Sequence, residues 1–202
     1  TRAYRAALFA AFATLGVTAS FIPSVLPAAQ RALAGDLSVA VPVLFAGLLI
    51  GVLASGPLLT RRSLRTVLLS GSALQGVAII AASIAGQPTT FLIAAGVAGV
   101  GFGLSEASGS IAAKTVSAGS ATGLLSALTG TLAVSAALTP FLVAAASALL
   151  PALMTLALVP TAAILMLART PSTPVPARLA VVRSGRVLLP LLPFAIALPV
   201  YV

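Results

Sequence analysis

An all-α polytopic membrane bundle is the architecture this sequence predicts: six transmembrane spans, the start of a seventh, and two inverted three-helix repeats. Three observations lead there. Of 202 residues, 60% are hydrophobic and only 6% are charged, whereas a soluble domain carries about 25% charged residues and needs them to cover its surface. The apolar residues come in runs of roughly 20, the length that crosses a bilayer's hydrocarbon. The basic residues fall between those runs and mostly on one side, as topology anchors do.

The runs are Ala6–Ala29, Val39–Leu59, Val67–Ala85, Thr90–Ala113, Ala121–Ala145 and Leu149–Leu167, with a further one starting at Val187. Each is expected to be a helix, because a backbone in lipid must satisfy its own hydrogen bonds. The opening, TRAYRAALFAAFATLGV, resembles a secretory signal in having basic residues before an apolar stretch. With further spans behind it, a first transmembrane helix is the better reading. Pro23, Pro27, Pro57, Pro140 and Pro160 lie inside runs; they are expected to mark kinks and close helix contacts, which membrane helices tolerate. The chain starts on Thr1 and stops within LLPFAIALPVYV, so more polypeptide is expected at both ends.

Arg2 and Arg5 precede the first run, Arg61, Arg62 and Arg65 separate the second and third, and Lys114 follows the fourth. Arg169, Arg178, Arg183 and Arg186 follow the sixth. With six spans all of these share one side, and of the eleven basic residues only Arg31 lies on the other. The positive-inside rule then gives a multi-pass protein of the cell (inner) membrane with a cytoplasmic N-terminus. The same distribution explains the net charge of +9 without nucleic acid, which is not expected as a partner. Residues 1–168 form the expected bundle. Residues 169–186, rich in proline, serine and threonine, form an extended cytoplasmic linker, and 187–202 begin a seventh helix.

A shift of 83 residues lays Gly16 on Gly99, Arg31 on Lys114, Gly47 on Gly130 and Pro57 on Pro140. It equals three spans, an odd number, so the two copies are expected to be inverted, a recurrent transporter design. Chance matching in an alanine- and leucine-rich chain is the competing explanation.

Glu106 is one of only two acidic residues, and it lies in the fourth run. On a helix Gly99, Gly103, Glu106 and Ser110 share a face. Lys114 is eight residues beyond, roughly 12 Å along the axis at about 1.5 Å per residue, so Glu106 lies within the hydrocarbon zone. A charge there costs at least ~2.5 kcal/mol and should face the bundle interior or a watery cavity. Such a group can exchange a proton as a cavity opens to each side, or accept hydrogen bonds from a polar solute. The plain alternative is a hydrogen bond to a neighbouring helix. Thr14 and Thr18 on the first run, and Thr131, Ser135 and Thr139 on the fifth, are candidates for the same cavity, each set spaced by four. Ordinary helix–helix bonding is the competing reading for each. Gln75 is a further candidate. Asp36 and Arg31 in the outer loop are expected to form a surface ion pair worth little.

The stretch GPLLTRRSLRTVLL, Gly56 to Leu69, resembles the loop signature of the major facilitator superfamily, with Gly56, Leu58, Arg61 and Arg65 matching. Arg62 adds a further basic residue. Thr60 stands where the family has aspartate, and Ser63 where it has a second glycine. The resemblance implies the first six-helix half of a twelve-helix protein, with a second half as partner. It also implies that Gly56, Arg61, Arg62 and Arg65 serve a cytoplasmic gate. Ala95 stands where drug-exporting members carry arginine, and GTLAVSAALTP keeps that branch's proline but few of its glycines. GVGFGLSEASGS is similar to the fourth helix of fucose–proton symporters, with Ser110 in place of asparagine and without their first-helix aspartate.

The expected function is secondary active transport of a small organic solute by alternating access, with protons as a candidate coupling ion and Glu106 and Ser110, with Thr14, Thr18 and Ser135, at the solute or proton site. Its partners would be the lipid bilayer, the solute and the second half. No enzyme activity, cofactor or metal is expected: the chain has no histidine and no cysteine, and its one intramembrane carboxylate has no second acid for paired acid–base work. The alternative is a non-transporting membrane scaffold or assembly subunit; a channel fits the sparse polar content least well. Because the chain lacks cysteine, single substitutions report topology directly. Arg62→Cys should react with an impermeant thiol reagent only from the cytoplasmic side, and Ala34→Cys only from the opposite side.

Overall fold

The computed structural model describes residues 2–117, 121–146 and 154–170. Its helices are α1 (Arg2–Leu33), α2 (Ala40–Arg61), α3 (Leu64–Ser83), α4 (Pro88–Val116), α5 (Ala121–Ala146) and α6 (Leu158–Ala168), the last preceded by a 3₁₀ turn at Met154–Ala157. There is no strand among the described residues. Five helices, α1 to α5, are long and apolar enough to cross a membrane. The described part of the sixth run, Met154–Ala168, is shorter than a crossing needs; the start of that run, the linker after Thr170 and the seventh run lie outside the described residues.

The ends of the helices differ from the expected runs in ways the sequence explains. Helix α1 begins at Arg2 and α4 extends to Val116, because basic residues at a span's end reach the interface and continue the helix. Pro88 opens α4 at its first turn, where the missing N–H costs nothing. Ser63 caps α3: its Oγ accepts from the Thr66 N–H at 3.2 Å, satisfying one orphan donor of the first turn. Pro23 and Pro27 lie inside α1, Pro57 inside α2 and Pro140 inside α5.

Two core clusters fix the direction of each helix. Tyr4, Leu8, Leu68, Ala113, Leu128 and Leu167 pack together at one end. Ile22, Ala29, Leu37, Ile79, Phe91 and Val143 pack at the other. Odd-numbered helices therefore start at the first end and even-numbered helices finish there. Helix α4 packs chiefly on α2 and α3, while α1 packs chiefly on α5 and α6. Exchange α1 with α4, α2 with α5 and α3 with α6, and each set of partners becomes the other; α1 and α4 run in opposite directions. This is the packing that two inverted three-helix units produce.

Glycine makes these contacts close. Cβ atoms added to Gly99 and Gly103 would strike the backbone carbonyls of Leu44 and Leu48 on α2. Additions at Gly47 and Gly51 would strike those of Gly96 and Val100 on α4. On α3, Gly71 meets Gly101 and Ser105 of α4. Between α1 and α5, Gly16 meets Leu132 and Ser135. Lipid supplies no hydrophobic drive between helices, so van der Waals contact at this range is what holds them. Large apolar side chains cover the outside: Phe45 on α2 and Phe141 on α5 are 60% and 73% exposed, a surface suited to lipid or to another apolar partner.

Gly99→Val should therefore force α2 from α4 and cost about 3 kcal/mol, seen as a lower unfolding midpoint in detergent. Gly130→Ala, where an added Cβ meets nothing within 4 Å, should leave the midpoint unchanged.

Candidate functional site

Helix α4 is gripped on two sides, and its side chains divide accordingly. Gly99 and Gly103 face α2; Glu106 and Ser110 continue that face by their spacing, toward the basic end of the bundle. Both are half-buried, and among the described residues neither side chain makes a hydrogen bond or ion pair.

The other residues singled out from the sequence are engaged elsewhere. Thr14 is fully buried, and its hydroxyl donates to the Ala10 carbonyl one turn back at 3.0 Å. Ser135 is half-buried and donates to the carbonyls of Thr131 at 2.9 Å and Leu132 at 3.0 Å, while standing against Gly16. Thr131 and Thr139 likewise bond back along α5, to Ala127 and Ser135. Thr18 donates to Gln75 Oε1 at 2.7 Å. No hydrogen bond of the described residues brings Thr14, Thr18 or Ser135 to Glu106.

Gln75 is the polar centre of the bundle. It is 0% exposed. Besides accepting from Thr18, it holds its Nε2 3.1 Å from Ser105 Oγ and 3.3 Å from the carbonyls of Gly71 and Gly101. One side chain thus ties α1, α3 and α4, and the nearby glycines let the backbones approach closely enough for their carbonyls to serve as acceptors. The sequence marked Gln75 as a candidate but held no signal for Ser105, whose role depends on which face of α4 meets α3. Ser72, also on α3, is the only buried side-chain polar atom without a partner among the described residues.

At the basic end, Arg65 does capping work. Its Nε donates to the Leu167 carbonyl at 2.9 Å, and its Nη2 to the Ala168 carbonyl. These carbonyls lie in the last turn of α6, where Leu167 also accepts from Thr170, and a cation there opposes the helix dipole. Arg61 and Arg62 are exposed, and beside Gly56 an added Cβ would meet nothing within 4 Å. Thr60 turns its hydroxyl back to the Pro57 carbonyl at 2.7 Å. In the opposite loop the expected Arg31–Asp36 pair is replaced by local bonds. Arg31 donates to the Pro27 carbonyl at 3.1 Å. Asp36 accepts from the Ser38 N–H at 2.8 Å, which holds its carboxyl below the ordinary range. Two short-range bonds to backbone outcompete a solvent-screened ion pair.

A groove of about 400 Å³ opens between α2, α3 and α4, lined by Val43, Gly47, Ile50, Leu74, Gly96 and Val100 among others. It holds no polar side chain and does not include Glu106. No group of three or more metal-ligating side chains occurs among the described residues. No protein-family model and no curated protein matches the chain.

Replacing Gln75 by leucine removes the Thr18 acceptor and the Ser105 partner together and should lower stability by about 2 kcal/mol, read as a fall in the unfolding midpoint. Ser72→Ala, which removes a hydroxyl with no partner, should leave the midpoint unchanged or raise it.

Proposed function

We propose that the chain forms the first six-helix half of a secondary active transporter that moves a small organic solute by alternating access, with Glu106 as the residue that binds solute or carries the coupling proton. One observation carries this reading. The single intramembrane carboxyl, half-buried in the bundle, is left without a protein partner among the described residues, as is the Ser110 hydroxyl one turn away. An acid in hydrocarbon is costly unless something uses it. Water, a proton or a solute hydroxyl in a cavity between two halves supplies that use.

The loop resemblance from Gly56 to Arg65 and the exchange of packing partners between α1–α3 and α4–α6 support the major facilitator reading, in which inverted three-helix units build each half. Arg61 and Arg62 then face the cytoplasmic gate of the inner-membrane protein, with the N-terminus on the same side. Apolar stripes on α2 (Phe45, Leu49, Leu53) and α5 (Val134, Leu138, Phe141) are exposed. In this reading they meet lipid or the second half. The same stripes would meet a partner protein if the chain were a scaffold, and Glu106 separates the two readings.

Membrane vesicles carrying the protein provide the test, with a panel of radiolabelled sugars and organic acids. Glu106→Gln should cut proton-gradient-driven accumulation of the transported solute by an order of magnitude or more, while solute exchange without a gradient falls less. Wild-type accumulation by Glu106→Gln, or no transport of any solute by the unaltered protein, would contradict the proposal and favour the scaffold.

A further inference from the structure

The two ends of the bundle carry very unequal charge. At one end Tyr4, Leu68, Ala113 and Leu167 share a core cluster, and Leu59 and Leu64 share another with Leu104. Those contacts bring the flanking cations to one surface: Arg2 and Arg5 at the start of α1, Arg61 and Arg62 after α2, Lys114 near the end of α4, and Arg169 after α6. All six are exposed, and among the described residues none has a side-chain hydrogen bond or ion pair. Arg65 adds a seventh charge while capping α6. The opposite end holds Arg31 and Asp36, which sum to zero. The chain's only other acid, Glu106, lies about three turns inside the end of α4 at Val116. The C-terminal ends of α2, α4 and α6, at about −0.5 each, meet the N-terminal ends of α1, α3 and α5 at about +0.5 each, so the helix dipoles cancel and leave the cationic charge uncompensated.

We infer that this end is a docking surface for the anionic phosphodiester headgroups of the surrounding bilayer. The groups that would recognise them are guanidinium forks and one ammonium, held at helix ends at the depth where headgroups lie. Arginine binds phosphate oxygens in pairs, and each cation near an anionic membrane surface favours binding about fivefold. The complementarity is electrostatic and needs no pocket. It rests on the chain's lying in a bilayer and is independent of what the protein transports.

Lipid retained by the purified full chain tests this, measured by mass spectrometry after solubilisation from an equal mixture of phosphatidylglycerol and phosphatidylcholine. Phosphatidylglycerol should be enriched about fivefold or more. The enrichment should collapse in raised sodium chloride and in Arg61→Gln/Arg62→Gln/Lys114→Gln/Arg169→Gln. Arg31→Gln, at the neutral end, should retain it. If the quadruple variant does not fold, the salt response of the unaltered protein and of Lys114→Gln decides. Inorganic phosphate should displace the lipid no better than chloride at matched ionic strength. Equal retention of the two lipids, an equal loss in Arg31→Gln, or selective displacement by phosphate, which would make free phosphate the ligand, overturns the inference.

Discussion

Helix α4 lies against α2 and α3 with glycine at nearly every point of contact, and this close approach decides where the polar groups of the bundle go. A helix that meets its neighbours backbone to backbone brings their carbonyls within reach of a single side chain. Gln75 uses that reach on the α3 side, with Gly71, Gly101 and Ser105 around its amide. On the α2 side the glycines Gly99 and Gly103 carry no polar atoms, and the face they begin ends in Glu106 and Ser110. One helix therefore presents a satisfied polar face and an unsatisfied one. The satisfied face holds the bundle together; the unsatisfied one is where chemistry is available.

That division also bears on how the protein could move. Under the proposed transport function the bundle must keep its shape as it moves, and the Thr18–Gln75–Ser105 chain couples α1, α3 and α4 into one body. Arg65 extends the coupling to the end of α6. Interhelical hydrogen bonds in lipid are worth about 0.6 kcal/mol on average, so rigidity of this kind comes from several bonds sharing one buried amide and from the glycine contacts beneath it. The inverted relation of α1–α3 to α4–α6 is not carried through to chemistry: Gly16 corresponds to Gly99, but the position matching Glu106 is Pro23. The symmetry belongs to the packing, and the carboxyl breaks it.

Much of this was legible in the residues. The apolar runs placed α1 to α5, and the shift that lays Gly16 on Gly99 located two of the contact glycines. The distribution of arginines marked one end of the bundle. Other features were out of reach for physical reasons. Gln75 meets Thr18 across 57 positions and Ser105 across 30; no local pattern encodes such a meeting, only the rotation of three helices. Thr14 and Ser135 looked like cavity residues because helical spacing gives a shared face but not what that face touches, and a threonine or serine in lipid can always bond back to its own helix. Asp36 and Arg31 are close in sequence, yet each found a backbone partner nearer still. Arg65 read as one more anchor, since the carbonyls it caps come from a helix more than a hundred residues away.

The central claim is that Glu106 faces water rather than lipid or sealed protein. The absence of cysteine allows a direct measurement: Glu106→Cys, probed with a membrane-impermeant thiol reagent in right-side-out and inverted vesicles, with Ile93→Cys on the exposed flank of α4 as the lipid-facing control. Reaction at position 106 from one face or from both, with the pattern altered by solute and with Ile93→Cys inert, is the predicted result. A thiol at 106 as unreactive as the one at 93, from either face and with or without solute, would contradict the account.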